Sequence, residues 1–212
     1  MASSLIHVAV CNELNKKLGR DRAKILIGTI APDISKLVGE SKYYSHFLDD
    51  EDGSIPNLTR FLNRYIKYLD DDFVLGYYIH LYTDYLWFKH FIPEIYNEEK
   101  NLIKKLDGTI VNCHGHMAEI YIYNDYTNLN KEVVEQYKLD LNFLYNDIPE
   151  FKEIIKEAHM NHLDKIINKA REIYEESKVH KDYVFDMDNI NSFISLSVKL
   201  IESDLRDLKI IN

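Results

Sequence analysis

The chain has 212 residues, which is enough for one domain with a sizeable core, and its formal net charge at neutral pH is −9. Its 7 glycines and 4 prolines are too few for the many turns of a β-sandwich or barrel, whereas helix formers and bulky core residues are plentiful. The composition therefore predicts one all-α domain over residues 1–212. The acidic charge argues against a broad nucleic-acid-binding surface, which requires a basic face.

The beginning of the chain lacks the basic and apolar regions of a signal peptide, and no apolar run reaches the ~18 residues of a transmembrane segment. Cys11 and Cys113 are far apart and form no CxxC motif, so buried free thiols are expected. Together these features predict a soluble, cytoplasmic protein.

The first predicted helix carries a histidine. Apolar residues at helical spacing begin after Ser3 or Ser4, either of which can cap the helix, and continue to Gly19. His7 falls in the first turn. Taken alone, a histidine in this position is more often a capping or core residue than a metal ligand.

A turn and a loop supply two further candidates. A second apolar segment is stopped by Pro32, which leaves Asp33 on a turn. The polar stretch that follows contains an aromatic run from Tyr43 to Phe47, which we expect to fold back onto the core. His46 lies within this run and would be carried inward with it.

The central helix is predicted over residues 73–91 and is apolar nearly all round, which places it in the middle of a bundle. His80 and Asp84 are four residues apart. At about 100° per residue, His90 falls with them in one arc of about 120°. Polar groups buried on such a helix need hydrogen-bond partners or a metal. Further helices are predicted at about residues 131–145, 149–177 and 188–208.

Two interpretations of these histidines and aspartates are open. A structural account must find a separate hydrogen-bond partner for each group, whereas one metal cluster would satisfy all of them together. Neutral imidazole and carboxylate without thiolate suit catalytic Zn²⁺, and also Mn²⁺ or Fe²⁺. The spacing alone does not decide, because a histidine and an aspartate four residues apart on one helix are a common coincidence.

The order of the candidates resembles the zinc-dependent phospholipase C family, which is related in fold to the P1-type nucleases. The matching run is His7, Gly28-Thr-Ile-Ala-Pro-Asp33, Ser45-His46-Phe47, and Gly76-Tyr-Tyr-Ile-His80-Leu-Tyr-Thr-Asp84 followed by His90. It covers roughly the first 90 residues and extends more loosely to about Asn130. That family is all-α and holds a three-zinc cluster between helices, and the resemblance implies the same architecture here.

The resemblance also implies a role for each ligand. Asp33, His46, His80 and Asp84 would surround one metal, and Asp84 would bridge to a second metal bound by His7.

His90 would bind the remaining metal. Of His114 and His116, which compete as the second ligand of that site, we favour His116. Neither has a carboxylate four residues on, so Glu119 or Asp125 must complete the site.

Secreted members of the family add the amino group and carbonyl of the mature first residue, over a dozen residues before the matching histidine. Here Ala2 lies only five residues before His7. Either two or three zinc ions are therefore expected.

The activity implied is hydrolysis of a phosphoester, with Asp33 as a metal ligand and candidate general base. Aromatic side chains expected to shape the pocket are Tyr43, Tyr44, Phe47 and Trp87. The substrate would be a small phosphoester, such as a phosphodiester, or a phospholipid-like molecule, although an acidic surface without a basic amphipathic helix disfavours docking on an anionic membrane. Two alternatives remain open, a single-strand nuclease-like hydrolase and a non-catalytic helical bundle with a structural metal.

Overall fold

The computed structural model describes residues 2–177 and 181–211. Within these residues ten α-helices follow in chain order: α1 Ser4–Leu18, α2 Arg22–Ile30, α3 Ile34–Leu37, α4 Lys42–Ser45, α5 Leu58–Tyr65, α6 Asp72–Leu86, α7 Ile92–Ile95, α8 Gly115–Gln136, α9 Leu163–Glu175 and α10 Met187–Asp207. The predicted multi-helix, mostly α-helical class is confirmed, while the phospholipase C or P1 nuclease fold remains a prediction. None of the helices described is long and apolar enough to cross a membrane.

The helix α1 begins and ends where its caps predict. The side chain of Ser3 accepts a hydrogen bond from the backbone N–H of Ile6, and Gly19 ends the helix with a positive φ of 63°. The helix α2 likewise starts after a capping residue, Asp21. Beyond α2 the chain continues as a 3₁₀ turn, Ala31–Asp33, which gives Asp33 its predicted place on a turn.

The helices α2 and α6 cross at very short distance because each has a glycine at the contact. A Cβ atom at Gly76 would lie 2.1 Å from the carbonyl oxygen of Ile25, and one at Gly28 would lie 2.3 Å from the carbonyl oxygen of Phe73. No larger side chain fits at either position without moving backbone. This crossing places one face of α6 directly against the end of α2, where the candidate site lies.

The predicted central helix is not one continuous α-helix. After α6 ends at Leu86, the chain makes a π-helical turn over Trp87–Phe91. Because hydrogen bonds in a π-helix span five residues instead of four, each residue advances by a smaller angle than in an α-helix. His90 lies in this turn, so the helical spacing that grouped it with His80 does not apply.

The second half of the chain corrects two predicted helices. In place of helices at residues 131–145 and 149–177, the structure has the earlier α8 and the shorter α9, with 3₁₀ turns between them. Soon after α8, Lys138 adopts a left-handed φ of 49°. The last predicted helix is confirmed by α10, which opens with a reciprocal cap between Asp186 and Asn189.

A small antiparallel sheet, which the sequence did not predict, follows α7. Its strands β1 (Tyr96–Asn97), β2 (Leu102–Lys104) and β3 (Ile110–Asn112) pair in that order. The turn between β2 and β3 contains Gly108 at a φ of 84°, a conformation that glycine adopts without strain.

Candidate metal centre

Five of the predicted ligands meet at the crossing of α2 and α6. His7 comes from the first turn of α1, Asp33 from the 3₁₀ turn, His46 from the residue after α4, and His80 and Asp84 from α6. All five residues are buried. Their ligand atoms form two groups, His7 with His80 and Asp84, and Asp33 with His46 and His80, and within each group the atoms lie within 4.8 Å of one another.

Asp84 lies at the centre of this cluster. Its Oδ1 is 3.2 Å from Nε2 of His7. Its Oδ2 is 3.6 Å from Nε2 of His46 and equally 3.6 Å from Nε2 of His80. The two oxygens of one carboxylate therefore face different histidines, as a carboxylate that bridges two metal ions would.

The backbone of α2 determines which nitrogen of His80 faces the cluster. Nδ1 of His80 donates to the carbonyl oxygen of Thr29 at 2.7 Å. A carbonyl oxygen can only accept, so Nδ1 carries a proton and Nε2 faces the cluster. A hydrogen bond from the outer ring nitrogen to a carbonyl is the usual way in which a protein orients a histidine ligand.

His46 is oriented in a similar way. Its Nδ1 lies 2.9 Å from the hydroxyl of Ser45, which also contacts the hydroxyl of Ser35 at 2.9 Å. Its Nε2 lies 3.3 Å from Nε2 of His80 and 3.4 Å from Oδ1 of Asp33. Two imidazole nitrogens and a carboxylate oxygen thus converge on one small volume.

Several atoms of the cluster are buried without a hydrogen-bond partner among the described residues. They are both ring nitrogens of His7, Oδ1 of Asp33 and Oδ2 of Asp84. The contact between the Nε2 atoms of His46 and His80 involves none of these four atoms. Each buried polar atom without a partner costs about 1–3 kcal/mol. A bound metal ion would satisfy these atoms, and the cluster contains two groups of residues that could hold one.

Burial lowers the pKa of two histidines of the cluster, His7 and His46. It lowers the pKa of His7 to about 4, helped by the nearby His80 and opposed by Asp84. It lowers the pKa of His46 to about 4 as well, against the effect of Asp33. Neutral imidazole is the form that binds a metal.

The two carboxylates remain ionised. Burial alone would raise the pKa of Asp33, but the adjacent His46 and electrostatic interactions with His80 and Lys36 lower it below the usual range. The same balance, with His7 and His80 as the partners, holds the pKa of Asp84 well below the usual value. The cluster therefore presents charged oxygens and neutral nitrogens, which suit Zn²⁺, Mn²⁺ or Fe²⁺.

Ala2 contacts the cluster although it lies only five residues before His7. The backbone N–H of Ala2 donates to Oδ1 of Asp84 at 3.3 Å. The rings of His7 and His80 stack nearby, with their centroids 3.9 Å apart and their planes at 11°. The His7 side of the cluster is thus enclosed by the first described residues.

His90 is outside the cluster. Its side chain is exposed in the π-helical turn and lines a cavity of about 620 Å³ together with Glu94, Lys104 and Phe193. The wider turn accounts for this position, because it rotates His90 away from the arc that a continuous α-helix would have given.

His116 and Glu119, which were expected to complete the His90 site, do not converge with His90 on a common point. His116 and Glu119 are exposed on the first turns of α8, where Nδ1 of His116 lies 3.7 Å from an oxygen of Glu119. His114 is also exposed and precedes α8. Among the described residues, none of these side chains or His90 belongs to a group of converging ligand atoms.

Asp125 is fully buried but has different partners. Its carboxylate accepts hydrogen bonds from the backbone N–H groups of Tyr183, Val184 and Phe185. The side-chain amide of Asn124 donates to it as well. These bonds attach α8 to the segment that leads into α10, which is a structural role.

A cavity of about 400 Å³ opens beside Asp33. Its walls contain side chains that the sequence did not single out, among them Lys36, Tyr126 and Lys169. The aromatic residues expected there lie elsewhere: Phe47 and Trp87 are in the core, and Tyr44 is exposed. No sequence signal distinguishes Tyr126 or Lys169, since their position depends on how α8 and α9 dock.

No protein-family model matches the chain, and no curated protein or solved structure is significantly similar to it.

Proposed function

We propose that the protein is a metal-dependent phosphoester hydrolase with a zinc-type cluster of two or three ions. The metal ligands in this proposal are His7, Asp33, His46, His80 and Asp84. The observation that carries it is the set of buried nitrogen and oxygen atoms in this cluster that have no hydrogen-bond partner. Five side chains from four segments of the chain converge there. The lowered pKa values of His7, His46, Asp33 and Asp84 favour the protonation states that metal binding requires.

The arrangement suits more than one ion. Nε2 of His7 and Oδ1 of Asp84 lie on one side, while Asp33, His46 and His80 lie on the other, next to Oδ2 of Asp84. Divalent metals bound by these residues would polarise a phosphoryl oxygen and lower the pKa of a water molecule towards neutrality.

The side chains around the cluster would position the substrate. Asp33 is the cluster residue that also borders the cavity, so it is the best placed to act on a bound molecule. Its lowered pKa favours the role of metal ligand over that of general base, because an effective base has a pKa nearer the working pH.

The cavity favours a catalytic centre over a purely structural metal. A structural site is closed on all sides by protein ligands, whereas Asp33 of this cluster also lines a cavity. The formal net charge of −9 favours a small substrate over a polynucleotide.

The test begins with metal content. Protein purified without added metal should contain zinc, manganese or iron by plasma mass spectrometry, and should hydrolyse p-nitrophenyl phosphate or bis-p-nitrophenyl phosphate. Dialysis against a chelator should remove the metal and the activity, and restored zinc should return both. The Asp84→Asn variant should lose metal and at least about 100-fold in activity, since both sides of the cluster depend on this carboxylate.

His116→Ala is the matched control, because it removes an exposed imidazole outside the cluster. Protein that binds no metal and is equally stable in chelator would overturn the proposal. Bound metal without hydrolysis of either ester would instead favour the non-catalytic bundle. Preferred cleavage of single-stranded DNA would favour the nuclease-like alternative.

A further inference from the structure

The cavity beside Asp33 is built by four segments of the fold. Ala2, Ser3 and Ser4 form one wall at the start of α1. Asp33, Lys36 and Leu37 form the next wall, from the 3₁₀ turn into α3. The helices α8 and α9 provide the remainder, so the cavity exists only when both helices have docked against the first half of the chain.

The α9 wall alternates apolar and charged side chains at helical spacing. Ile166, Lys169 and Ile173 all line the cavity, and they are three and four residues apart on one helix face. Lys169 is exposed and pairs with Glu172 at 3.1 Å, while Ile166 is buried. Glu176 also lines the cavity, so this wall presents one lysine and one carboxylate beside its apolar side chains.

The α8 wall contributes an aromatic ring close to the cluster. Tyr126 lines the cavity and is half-buried. Burial, the neighbouring Tyr123 and the negative charges of Asp33 and Asp84 all raise the pKa of Tyr126. Its hydroxyl therefore stays protonated at neutral pH, within electrostatic reach of both carboxylates, and can donate a hydrogen bond.

Lysine side chains line the cavity together with the carboxylates of Asp33 and Glu176. Lys36 lines the cavity together with Asp33, three residues before it in the chain. Lys42, on the neighbouring α4, interacts electrostatically with Lys36 and Asp33. In a chain with a net charge of −9, these cations beside a carboxylate cluster provide partners for an anion.

We infer that this cavity binds a small phosphomonoester with a compact apolar or aromatic alcohol group. The phosphate lies at the Asp33 end within reach of Lys36, Lys169 and the Tyr126 hydroxyl, and the alcohol group packs against Leu37 and Ile166. The cations favour the doubly charged monoester over a singly charged diester. This inference rests on the proposed function, because it assigns the substrate class of that same centre.

The reaction for such a substrate balances without a further reactant. A water oxygen forms a bond to phosphorus as the bond between phosphorus and the alcohol oxygen breaks. The alcohol leaves with one proton of the water, and inorganic phosphate is released.

Binding of phenyl phosphate, measured by isothermal titration calorimetry, tests the inference separately from catalysis. The titration is carried out on zinc-supplemented and on chelated protein, at a low temperature where turnover is negligible. Any remaining heat of hydrolysis is subtracted. Phenyl phosphate should bind at one site and more tightly than methyl phosphate, because only the phenyl ring reaches the apolar wall. The variants Lys36→Gln and Lys169→Gln should each weaken binding about tenfold, the loss expected for one charge-assisted contact.

Lys165→Gln is the matched control, since Lys165 is an exposed lysine on the same helix that does not line the cavity. Equal affinity of the wild type and both test variants, or equal affinity for methyl and phenyl phosphate, would overturn the inference. The proposed function would still hold if chelation abolished hydrolysis of either nitrophenyl ester. Conversely, phenyl phosphate binding that depends on both lysines, together with ester hydrolysis that survives chelation, would support the cavity and refute the metal-dependent activity.

Discussion

The imidazole of His80 and the backbone carbonyl of Thr29 are joined by a hydrogen bond of 2.7 Å across the crossing of α2 and α6. The bond holds the ring proton on the outer nitrogen and leaves Nε2 3.3 Å from its counterpart in His46. The orientation of the candidate metal centre therefore depends on how closely two helices pack.

The packing itself can be tested at Gly76. Gly76→Ala would place a methyl group 2.1 Å from the carbonyl oxygen of Ile25, so the helices must separate. We expect the free energy of unfolding to fall by about 1–3 kcal/mol, measured by urea denaturation. Metal affinity should fall as well, because His80 moves away from Thr29.

Gly115→Ala is the control for this substitution. A Cβ atom there meets only the hydroxyl of Tyr96 at 3.8 Å, an ordinary contact. Its stability should stay within about 0.5 kcal/mol of the wild type. If Gly76→Ala were equally harmless, the crossing would be looser than described.

The orientation of His46 can be tested at Ser45. Ser45→Ala removes the hydroxyl that lies 2.9 Å from Nδ1 of His46. Loss of such a partner typically weakens metal binding by about 10–100-fold, and we expect a change of this size in a competition titration with a chromogenic zinc chelator. Ser197→Ala, at a buried serine on α10 whose hydroxyl has no hydrogen-bond partner among the described residues, should leave zinc affinity unchanged. Equal affinities in the two variants would show that Ser45 does not orient the ligand.

A substitution at Asp125 tests whether its carboxylate has a structural role or binds a metal. Asp125→Ala leaves the backbone N–H groups of Tyr183, Val184 and Phe185 without their acceptor. We expect a loss of about 3 kcal/mol or more in unfolding free energy, because charged hydrogen bonds are worth about 1.5–3 kcal/mol each. The metal content of the folded variant should not change. A reduced number of bound ions per chain would instead support the ligand role that the family resemblance implies.

The stability of the metal-free protein should decrease in acid, starting near the usual pKa of histidine. In the unfolded chain His7 and His46 bind protons below a pKa of 6.5, whereas in the folded protein they stay neutral down to about 4. The unfolded state therefore binds more protons between these pH values. For either histidine considered alone, the free energy of unfolding falls by about 3 kcal/mol as the pH is lowered through this range. Below pH 3.8, protonation favours the unfolded state further, because the pKa values of Asp33 and Asp84 are lowered in the folded state.

This pH dependence is measured by denaturant titrations in chelator from pH 7 to pH 3.5. His46→Gln should reduce the slope between pH 6.5 and 4 by about one proton. A flat profile over that range would mean that the histidines of the cluster are protonated, or solvated, in the folded protein.

The five cluster residues were predictable because each lies in a segment with a strong local signal. His7 follows a serine cap, Asp33 follows a proline that ends a helix, and His46 is carried inward by aromatic neighbours. His80 and Asp84 are one helical turn apart on an apolar helix. In each case local chemistry and the final fold agree.

The remaining features depend on tertiary structure that no local pattern reports. The π-helical turn at Trp87–Phe91 displaced His90 from its expected face. The partners of Asp125 lie roughly 60 residues further along the chain. The cavity requires α8 and α9 to dock beside Asp33, and neither helix had its predicted bounds.

The origin of the ligands in separate segments has a consequence for the order of folding. His7, Asp33, His46 and His80 belong to four pieces of chain, and a complete ligand set exists only after all four have assembled. Loop-closure entropy makes such long-range assembly slow compared with the formation of any single helix. Tight metal capture during refolding should therefore be a late event. The moment at which the ion is taken up would mark the end of folding of this half of the molecule.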